Sequence, residues 1–154
     1  MQTMMNLYNQ VKALKKITGK TFQEVGNAIG LKEGIFTNYI SDQTIVPSVR
    51  KLLKISEYFD ISVDDLLYRD YTSEPYNPIK PRQRRHFPTQ LRQLCKLNGI
   101  AQRQFYDDLD LNYNYIQQAA CKGTMPRLYT ALAIAEYFKI SLDDLLYKDF
   151  SDDV

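Results

Sequence analysis

The sequence contains one phrase twice. Residues 57–71 read EYFDISVDDLLYRDY and residues 136–150 read EYFKISLDDLLYKDF, an offset of 79 residues. The copies differ at four of fifteen positions, which in the first copy are Asp60, Val63, Arg69 and Tyr71. A chain that repeats itself in this way is built from two related units, which strongly limits the folds that it can adopt.

The duplication extends upstream of the repeated phrase. Pro47 matches Pro126 at the same offset, while Leu14 matches Leu94 at an offset of 80. One residue has therefore been gained or lost in the loop before the proline. With 154 residues in total, each half has roughly 70 ordered residues, which is enough for a modest core.

Both halves have helical rather than strand-like periodicity. After Pro47, apolar or small residues recur at positions 49, 52, 53, 56 and 59, which is helical spacing. Thr21 and Ser62 each begin a motif with a carboxylate three residues later, and Ser141 repeats the second motif; this pattern is typical of helix N-termini. No segment alternates like a strand. The sequence therefore predicts an all-α fold with about five short helices in each half.

The repeated phrase contains two adjacent pairs of carboxylates, Asp64–Asp65 and Asp143–Asp144. Paired carboxylates occur in general acid–base catalysis. Here they follow a capping serine, and negative charge in the first turn of a helix is favoured by the helix dipole. We therefore interpret both pairs as structural.

The order of these features closely resembles the phage lambda-repressor-like (XRE-type) helix-turn-helix family. It runs from a helix ending at Gly19 and a capped helix at Thr21 to a turn near Gly30, a further helix, the proline and the closing phrase. The resemblance implies two tandem five-helix domains, residues 1–71 and 88–154, joined by a Pro-rich basic linker, residues 72–87.

In that family the second helix of the motif enters the major groove of DNA. The resemblance places this helix at about Glu33–Ser41 in the first half and at about Tyr113–Cys121 in the second. The DNA-contacting residues that it implies in the first half are Lys32, Glu33, Thr37 and Asn38. Those that it implies in the second half are Gln102, Asn112, Tyr113, Asn114, Gln117, Gln118 and Lys122.

Two features modify this expectation. Gln102 occupies a position where the family often has glutamine, whereas the equivalent residue in the first half is Phe22, which weakens the expectation of DNA binding there. In the second half, Asp107, Asp108 and Asp110 precede the helix, and carboxylates repel phosphates. These aspartates either pair with a cation such as Arg103 or point aside.

The predicted linker carries the basic surplus of the chain. Residues 1–79 have nine basic and nine acidic side chains, and residues 89–154 have seven and nine. The four remaining cations are Lys80, Arg82, Arg84 and Arg85. As a flexible coil the linker spans about 20–25 Å, and stiffened by proline up to about 50 Å, so it can join half-sites about 34–36 Å apart. Its cations either contact phosphates or only keep the linker soluble.

Enzymatic activity has little support in the sequence. His86 is the only histidine and lies in the predicted linker, and the chain has no phosphate-binding glycine motif or cofactor signature. Cys95 and Cys121 have neither metal-site nor disulfide spacing. We expect no enzyme activity, no cofactor, no metal, no small-molecule substrate and no membrane association, and we expect a cytoplasmic location.

The sequence thus leads to two hypotheses. The first is a sequence-specific regulator of transcription, of repressor type, that binds double-stranded DNA through two non-identical heads. The second is a protein–protein interaction module on the same fold, bound to a protein partner or to itself, in which one or both halves have lost DNA binding. Near-neutral halves and twelve tyrosines favour the second hypothesis.

Overall fold

The computed structural model describes residues 3–42 and 46–151. The regular elements within these ranges are ten α-helices, so the predicted all-α class is confirmed. The chain divides into two compact units, Met1–Pro81 (unit 1) and Arg82–Val154 (unit 2), each with five of the helices. No helix in the described ranges is long and apolar enough to cross a membrane.

The helices of unit 1 are α1 (Leu7–Thr18), α2 (Phe22–Ala28), α3 (Glu33–Ser41), α4 (Val49–Tyr58) and α5 (Val63–Tyr68). Those of unit 2 are α6 (Phe87–Leu97), α7 (Gln102–Asp108), α8 (Tyr115–Lys122), α9 (Leu128–Tyr137) and α10 (Leu142–Tyr147). The bounds of α3 agree with the sequence prediction, whereas α8 begins two residues later than predicted. Residues 43–45, in the loop where the repeat offset changes, lie outside the described ranges.

The helices begin where the sequence predicts their caps. The Thr21 hydroxyl accepts a hydrogen bond from the Glu24 N–H at 3.1 Å. The Ser62 hydroxyl accepts one from the Asp65 N–H, and the Ser141 hydroxyl accepts the equivalent bond in unit 2, both at 3.0 Å. Such a bond satisfies a backbone donor that the helix leaves unpaired. The carboxylate pairs accordingly lie in the first turns of α5 and α10, as interpreted from sequence.

A buried glutamine joins the first and last helices of each unit. Gln10 in α1 is 1% exposed, and its Nε2 donates to the carbonyl oxygens of Leu66, at 3.0 Å, and Arg69; its Oε1 accepts from the Tyr71 N–H at 3.2 Å. Gln90 in α6 repeats this arrangement at the end of α10. Because these carbonyls are at a helix C-terminus, they have no partner within the helix, and the glutamine satisfies them.

The predicted linker has no helix between residues 75 and 86, but it is not a free chain. In unit 1 the Tyr76 hydroxyl donates to the Phe59 carbonyl oxygen at 2.6 Å, and the Ile79 N–H donates to the Asp60 carbonyl oxygen at 2.7 Å. In unit 2 the Arg85 N–H donates to a carbonyl oxygen of α10 at 2.8 Å. The segment therefore follows the surfaces of the units, and a random-coil estimate of its reach does not apply.

Candidate nucleic-acid interface

In unit 1, α2 and α3 are joined by residues 29–32 and lie very close together. A Cβ atom added to Gly26 in α2 would lie 2.8 Å from the Leu31 carbonyl oxygen and 3.2 Å from the Phe36 Cβ in α3. The Leu31 N–H also donates to the Gly26 carbonyl oxygen at 2.8 Å, which closes the turn. Because Gly26 has no side chain, α3 can pack directly against α2 at this point.

The α3 surface of unit 1 is only partly polar. Lys32 and Asn38 are exposed, and Thr37 is half-buried. The side chain of Glu33, also predicted to contact DNA, lies outside what the structure describes. Ile35, which the sequence interpretation did not single out, is 56% exposed. A surface of this composition offers fewer hydrogen-bonding groups than the sequence suggested.

Phe22, the residue in place of the expected glutamine, belongs to an aromatic cluster. Its ring stacks on Tyr8 with 5.7 Å between centroids and lies 6.3 Å from the ring of Phe36. The Lys15 Nζ lies 4.7 Å from the Phe22 centroid, which is within range of a cation–π interaction. Phe22 therefore connects α1, α2 and α3 by packing and offers no amide to a ligand.

Unit 2 builds the same region around a large side chain. Tyr106, the counterpart of Gly26, is 4% exposed, and its hydroxyl accepts a hydrogen bond from the Ile116 N–H at 3.4 Å. A tyrosine ring does not fit between helices that cross as closely as α2 and α3. Accordingly α8 packs mainly on α6, whereas α3 packs mainly on α2. The connection between α7 and α8 is also longer, covering residues 109–114.

This connection explains the late start of α8. The Tyr115 N–H donates to the Asn112 carbonyl oxygen at 3.0 Å, which forms a turn, and the Gln118 N–H donates to the Asn114 carbonyl oxygen at 2.8 Å. Tyr113 and Asn114 therefore precede the helix, and the predicted range Tyr113–Cys121 is corrected to Tyr115–Lys122.

The Tyr113 side chain is 60% exposed but is held in place. Its hydroxyl donates to Asp107 Oδ1 at 2.7 Å, and its ring lies 6.3 Å from that of Tyr106. The Arg103 guanidinium lies 5.2 Å from the Tyr113 centroid. The Tyr113 phenol, the Arg103 guanidinium and the Asp107 carboxylate thus form one exposed cluster beside the turn that precedes α8.

Two of the three aspartates near α8 are hydrogen-bonded within the unit. Asp107 accepts from Tyr113, and Asp108 accepts from the Tyr137 hydroxyl at 2.7 Å and from Gln104 Nε2 at 2.6 Å. Burial, with the hydrogen bond to Asp108 as the second cause, raises the pKa of Tyr137 to about 12. These hydrogen bonds hold the carboxylates of Asp107 and Asp108 within the unit.

The remaining predicted residues of unit 2 form an amide-rich surface. The following side chains are all exposed: Gln102, Asn112, Asn114, Gln117 and Gln118. Gln102 begins α7, the asparagines lie in the turn, and the adjacent glutamines lie in the first turn and a half of α8. Four of these amides therefore lie in the turn before α8 or in its first turn and a half, whereas Gln102 lies on α7.

A groove of about 390 Å³ runs along α8 to the start of α9, and its lining includes Tyr115, Gln118, Lys122 and Arg127. Lys122 and Arg127 are exposed. Arg127 was missed from sequence, although the 79-residue offset pairs it with Ser48, whose hydroxyl caps α4. The replacement of a capping serine by arginine was the available signal, since a cation beside this helix start has no capping role.

The linker cations Arg82 and Arg85 form ion pairs with carboxylates of unit 2. Arg82 Nη2 lies 3.0 Å from Oδ1 of Asp143, which is 8% exposed, and the Arg82 guanidinium lies 3.9 Å from the Tyr147 ring centroid. Arg85 Nη2 lies 2.9 Å from Oδ2 of Asp149. Hydrogen bonds from Ser151 chiefly, and Arg85 in addition, lower the pKa of Asp149.

The other two linker cations differ from each other. Lys80 is exposed, and Arg84 is half-buried. The four predicted contacts with phosphate are therefore not equivalent. For Arg82 and Arg85, a phosphate would compete with carboxylates already in place.

Comparison of the chain with protein-family models, with curated proteins and with solved structures finds no significant match.

Proposed function

We propose that this protein is a sequence-specific regulator of transcription that binds double-stranded DNA through two helix-turn-helix units, with unit 2 as the main reading head. The observation that carries the proposal is the arrangement along α8. Exposed amides precede and begin the helix, an exposed lysine ends it, and an exposed arginine follows it. This order places base-reading groups next to groups that can contact the DNA backbone.

The chemistry of α8 fits an adenine-containing site. A glutamine or asparagine amide pairs with adenine through one donor and one acceptor in the major groove, which admits one helix. Gln117 and Gln118 are adjacent, so they project about 100° apart around α8 and would read neighbouring bases rather than the same base. Lys122 and Arg127 line one groove, and as cations they are suited to contact phosphates beside the bases that are read.

Unit 1 supports a different and weaker contact. Lys32 provides a cation at the start of α3, Asn38 provides one amide, and the exposed Ile35 suits the methyl group of thymine. Because α3 and α8 differ in both chemistry and packing, we propose that the two units read unlike half-sites.

The linker contributes unequally in this proposal. Lys80 is exposed and can approach a phosphate directly. Arg82 and Arg85 would first have to leave the carboxylates of Asp143 and Asp149. Replacing all four cations by glutamine should make DNA affinity depend less steeply on salt concentration. Lys80→Gln alone should produce most of this change in slope. An unchanged slope in the fourfold variant would remove the linker from the interface.

A second function is favoured by one observation. Ile35 is 56% exposed on the helix that should read DNA in unit 1. Exposed aliphatic residues in the middle of a helix face suit a protein partner. A protein–protein interaction module in unit 1, with or without DNA binding by unit 2, is therefore the alternative.

The test is a selection from random double-stranded DNA with the purified protein, sequenced before and after enrichment. We expect a motif with two unlike halves centred about 10 base pairs apart. Gln117→Ala with Gln118→Ala should weaken the base preference in one half of the motif only. Gln93→Ala on α6 also removes an amide and should leave the motif unchanged. Failure to enrich any motif at low salt would contradict DNA binding and favour the interaction module.

A further inference from the structure

One face of α1 carries an exposed mixed stripe that the proposed DNA contacts do not use. Its members occupy positions i, i+3, i+4, i+7 and i+8 of the helix and are Asn9, Lys12, Ala13, Lys16 and Ile17. Ile17 is 50% exposed, and both lysines are exposed. Such spacing places all five side chains on the same side of the helix.

This stripe forms one wall of a groove of about 730 Å³ within unit 1. The opposite wall is the segment after α5, from Tyr71 to Pro75. Tyr71 is 3% exposed, so only a small part of its ring reaches the groove. Ala13, Ile17 and Pro75 give the groove an apolar middle, and Lys12 and Lys16 are cations on one wall.

The charge of the groove is predominantly positive. Glu74 is the only acidic side chain among the residues lining it, and its Oε2 lies 3.8 Å from Arg69 Nε and accepts the Asp70 N–H at 3.2 Å. Lys12 and Lys16 lie one helical turn apart on the opposite wall. A ligand with carboxylates on both sides of an aliphatic group would complement this arrangement.

Unit 2 repeats part of this stripe on α6, where Thr89 takes the place of Asn9 and Gln93 the place of Ala13. Arg92, Lys96 and Leu97 occupy the positions of Lys12, Lys16 and Ile17 at the 80-residue offset, and Leu97 is 41% exposed. The regions of α3 and α8 have diverged in sequence and in packing, yet this exposed aliphatic residue beside two cations is present in both copies. Both aliphatic side chains are exposed and lie outside the core of their unit.

From these observations we propose that the α1 stripe, with its α6 counterpart, is a docking site for an acidic amphipathic segment of a partner protein. One aliphatic side chain of the segment enters the groove against Ala13 and Ile17, and flanking carboxylates meet Lys12 and Lys16. The stripe is about 12 Å long, from Asn9 to Ile17, which accommodates about two turns of a helical peptide.

The composition of the groove disfavours two other occupants. A nucleic-acid backbone would gain from the lysines but nothing from Ala13, Ile17 or Pro75. A second copy of the same stripe would oppose its own lysines, and like charges at close range are unfavourable.

The experiment uses the full-length protein and a fluorescent synthetic 12-residue helical peptide with two leucines one turn apart and glutamates on either side. Binding is followed by fluorescence anisotropy at low salt. We expect a dissociation constant of tens of micromolar, as is usual for small transient interfaces. The same peptide with lysine in place of glutamate, or serine in place of leucine, should bind at least about tenfold more weakly.

Variants of the protein locate the site. Ile17→Ser with Leu97→Ser should weaken peptide binding about tenfold or more without changing DNA binding or the melting temperature, because both side chains are exposed in the wild type. Lys12→Glu with Lys16→Glu should have a similar effect. Lys20→Glu, a charge change just beyond α1 and outside the groove, is the matched control and should have little effect.

Three results would overturn the proposal. The first is no binding of the acidic peptide at millimolar concentration. The second is binding that persists in Ile17→Ser with Leu97→Ser, which would indicate general attraction to polyanions. The third is a wild-type dimer in sedimentation that Ile17→Ser converts to monomer, which would assign the surface to a second copy of the chain. Since DNA binding is measured separately, failure here is distinguishable from failure of the proposed regulator function.

Discussion

The two units are alike in the hydrogen bonds that join their first and last helices, and they differ in how their third helix is packed. Gln10 and Gln90 join the first and last helices of their units by equivalent hydrogen bonds. By contrast, Gly26 allows α3 to lie directly on α2, while Tyr106 occupies the same position in unit 2 and α8 packs on α6. A duplicated fold can therefore keep its frame while one glycine-to-tyrosine difference repositions the helix that presents the variable surface.

The largest expected effects come from this position. Tyr106→Ala should destabilise unit 2 by about 3–5 kcal/mol, because it removes a buried ring and leaves a cavity. Gly26→Ala should destabilise unit 1 by about 2 kcal/mol, because the new Cβ would press on the Leu31 carbonyl oxygen. Hydrogen exchange of amides in α7 and in α2 reports the stability of each unit separately.

Each of these variants has a matched control. Tyr129→Ala removes a tyrosine that is 59% exposed and should change stability by less than about 0.5 kcal/mol. Gly34→Ala adds a Cβ that meets nothing within 4 Å and should stabilise unit 1 by about 0.5–1 kcal/mol. If Gly26→Ala were as well tolerated as Gly34→Ala, the proposed reason for the difference between the units would be wrong.

The shared glutamines give the next largest effects. Gln10→Leu removes hydrogen bonds to two carbonyls and one N–H, and we expect a loss of about 3 kcal/mol in unit 1. Gln90 Nε2 donates to the carbonyl oxygens of Leu145, at 3.0 Å, and Lys148, at 2.7 Å, so Gln90→Leu should cost about 2 kcal/mol in unit 2. Exchange of the α1 and α6 amides measures both losses, and equally small effects would contradict a shared closing role.

The two surfaces should also differ in DNA affinity. Gln117→Ala with Gln118→Ala should weaken binding to a selected site by about 2 kcal/mol, since one good bidentate contact contributes about 1–3 kcal/mol. Asn38→Ala should cost less, because α3 offers a single amide beside Ile35. A titration of labelled DNA at fixed salt measures both values. A larger loss from Asn38→Ala would make unit 1 the main reading head.

The smallest effect expected is a loss of stability at high pH. Burial chiefly raises the pKa of Tyr71 in unit 1 to about 12, and burial with the Asp108 hydrogen bond does the same for Tyr137 in unit 2. The native state therefore holds a proton that the unfolded state releases near pH 10, so this stability is complete below about pH 10 and is lost as the pH rises towards 12.

Phenylalanine variants separate these two contributions. Tyr71→Phe should remove the alkaline loss from unit 1 only, and Tyr137→Phe from unit 2 only, as followed by urea unfolding between pH 8 and pH 11. Phe150 is the natural counterpart of Tyr71, so unit 2 has no titrating group at that position. An alkaline loss that persists in the double variant would assign it to other groups.

Much of the frame was predictable from sequence because its signals are local. Capping residues such as Thr21 and Ser62 specify where helices begin through hydrogen bonds to residues three positions away. The duplication repeats the Ser62 signal at Ser141, whereas Ala101 takes the place of Thr21 without a capping side chain. The bounds of α3 were implied by the family resemblance, since Lys32 provides no side-chain cap.

The candidate site was less predictable because it depends on tertiary contacts. The start of α8 is displaced by the contacts of Tyr106 and Tyr113 across the α7–α8 connection, and neither residue differs from an ordinary helix residue when viewed alone. Arg82 and Arg85 were predicted to contact DNA from their charge, while their carboxylate partners are about 60 residues away in the chain. Sequence spacing carries no information on such pairs.

The segment that precedes the first helix of each unit has a consequence for how the chain tolerates rearrangement. The Met5 N–H donates to the Leu67 carbonyl oxygen at 2.6 Å, and the Arg85 N–H donates to the Leu146 carbonyl oxygen at 2.8 Å. The entry and exit of each unit are thus neighbours, which is the geometry that permits circular permutation. In each unit a short linker could join the last helix to the segment before the first helix, and new termini could be placed in another loop. For the same reason a second copy of the unit can be appended without disrupting the first.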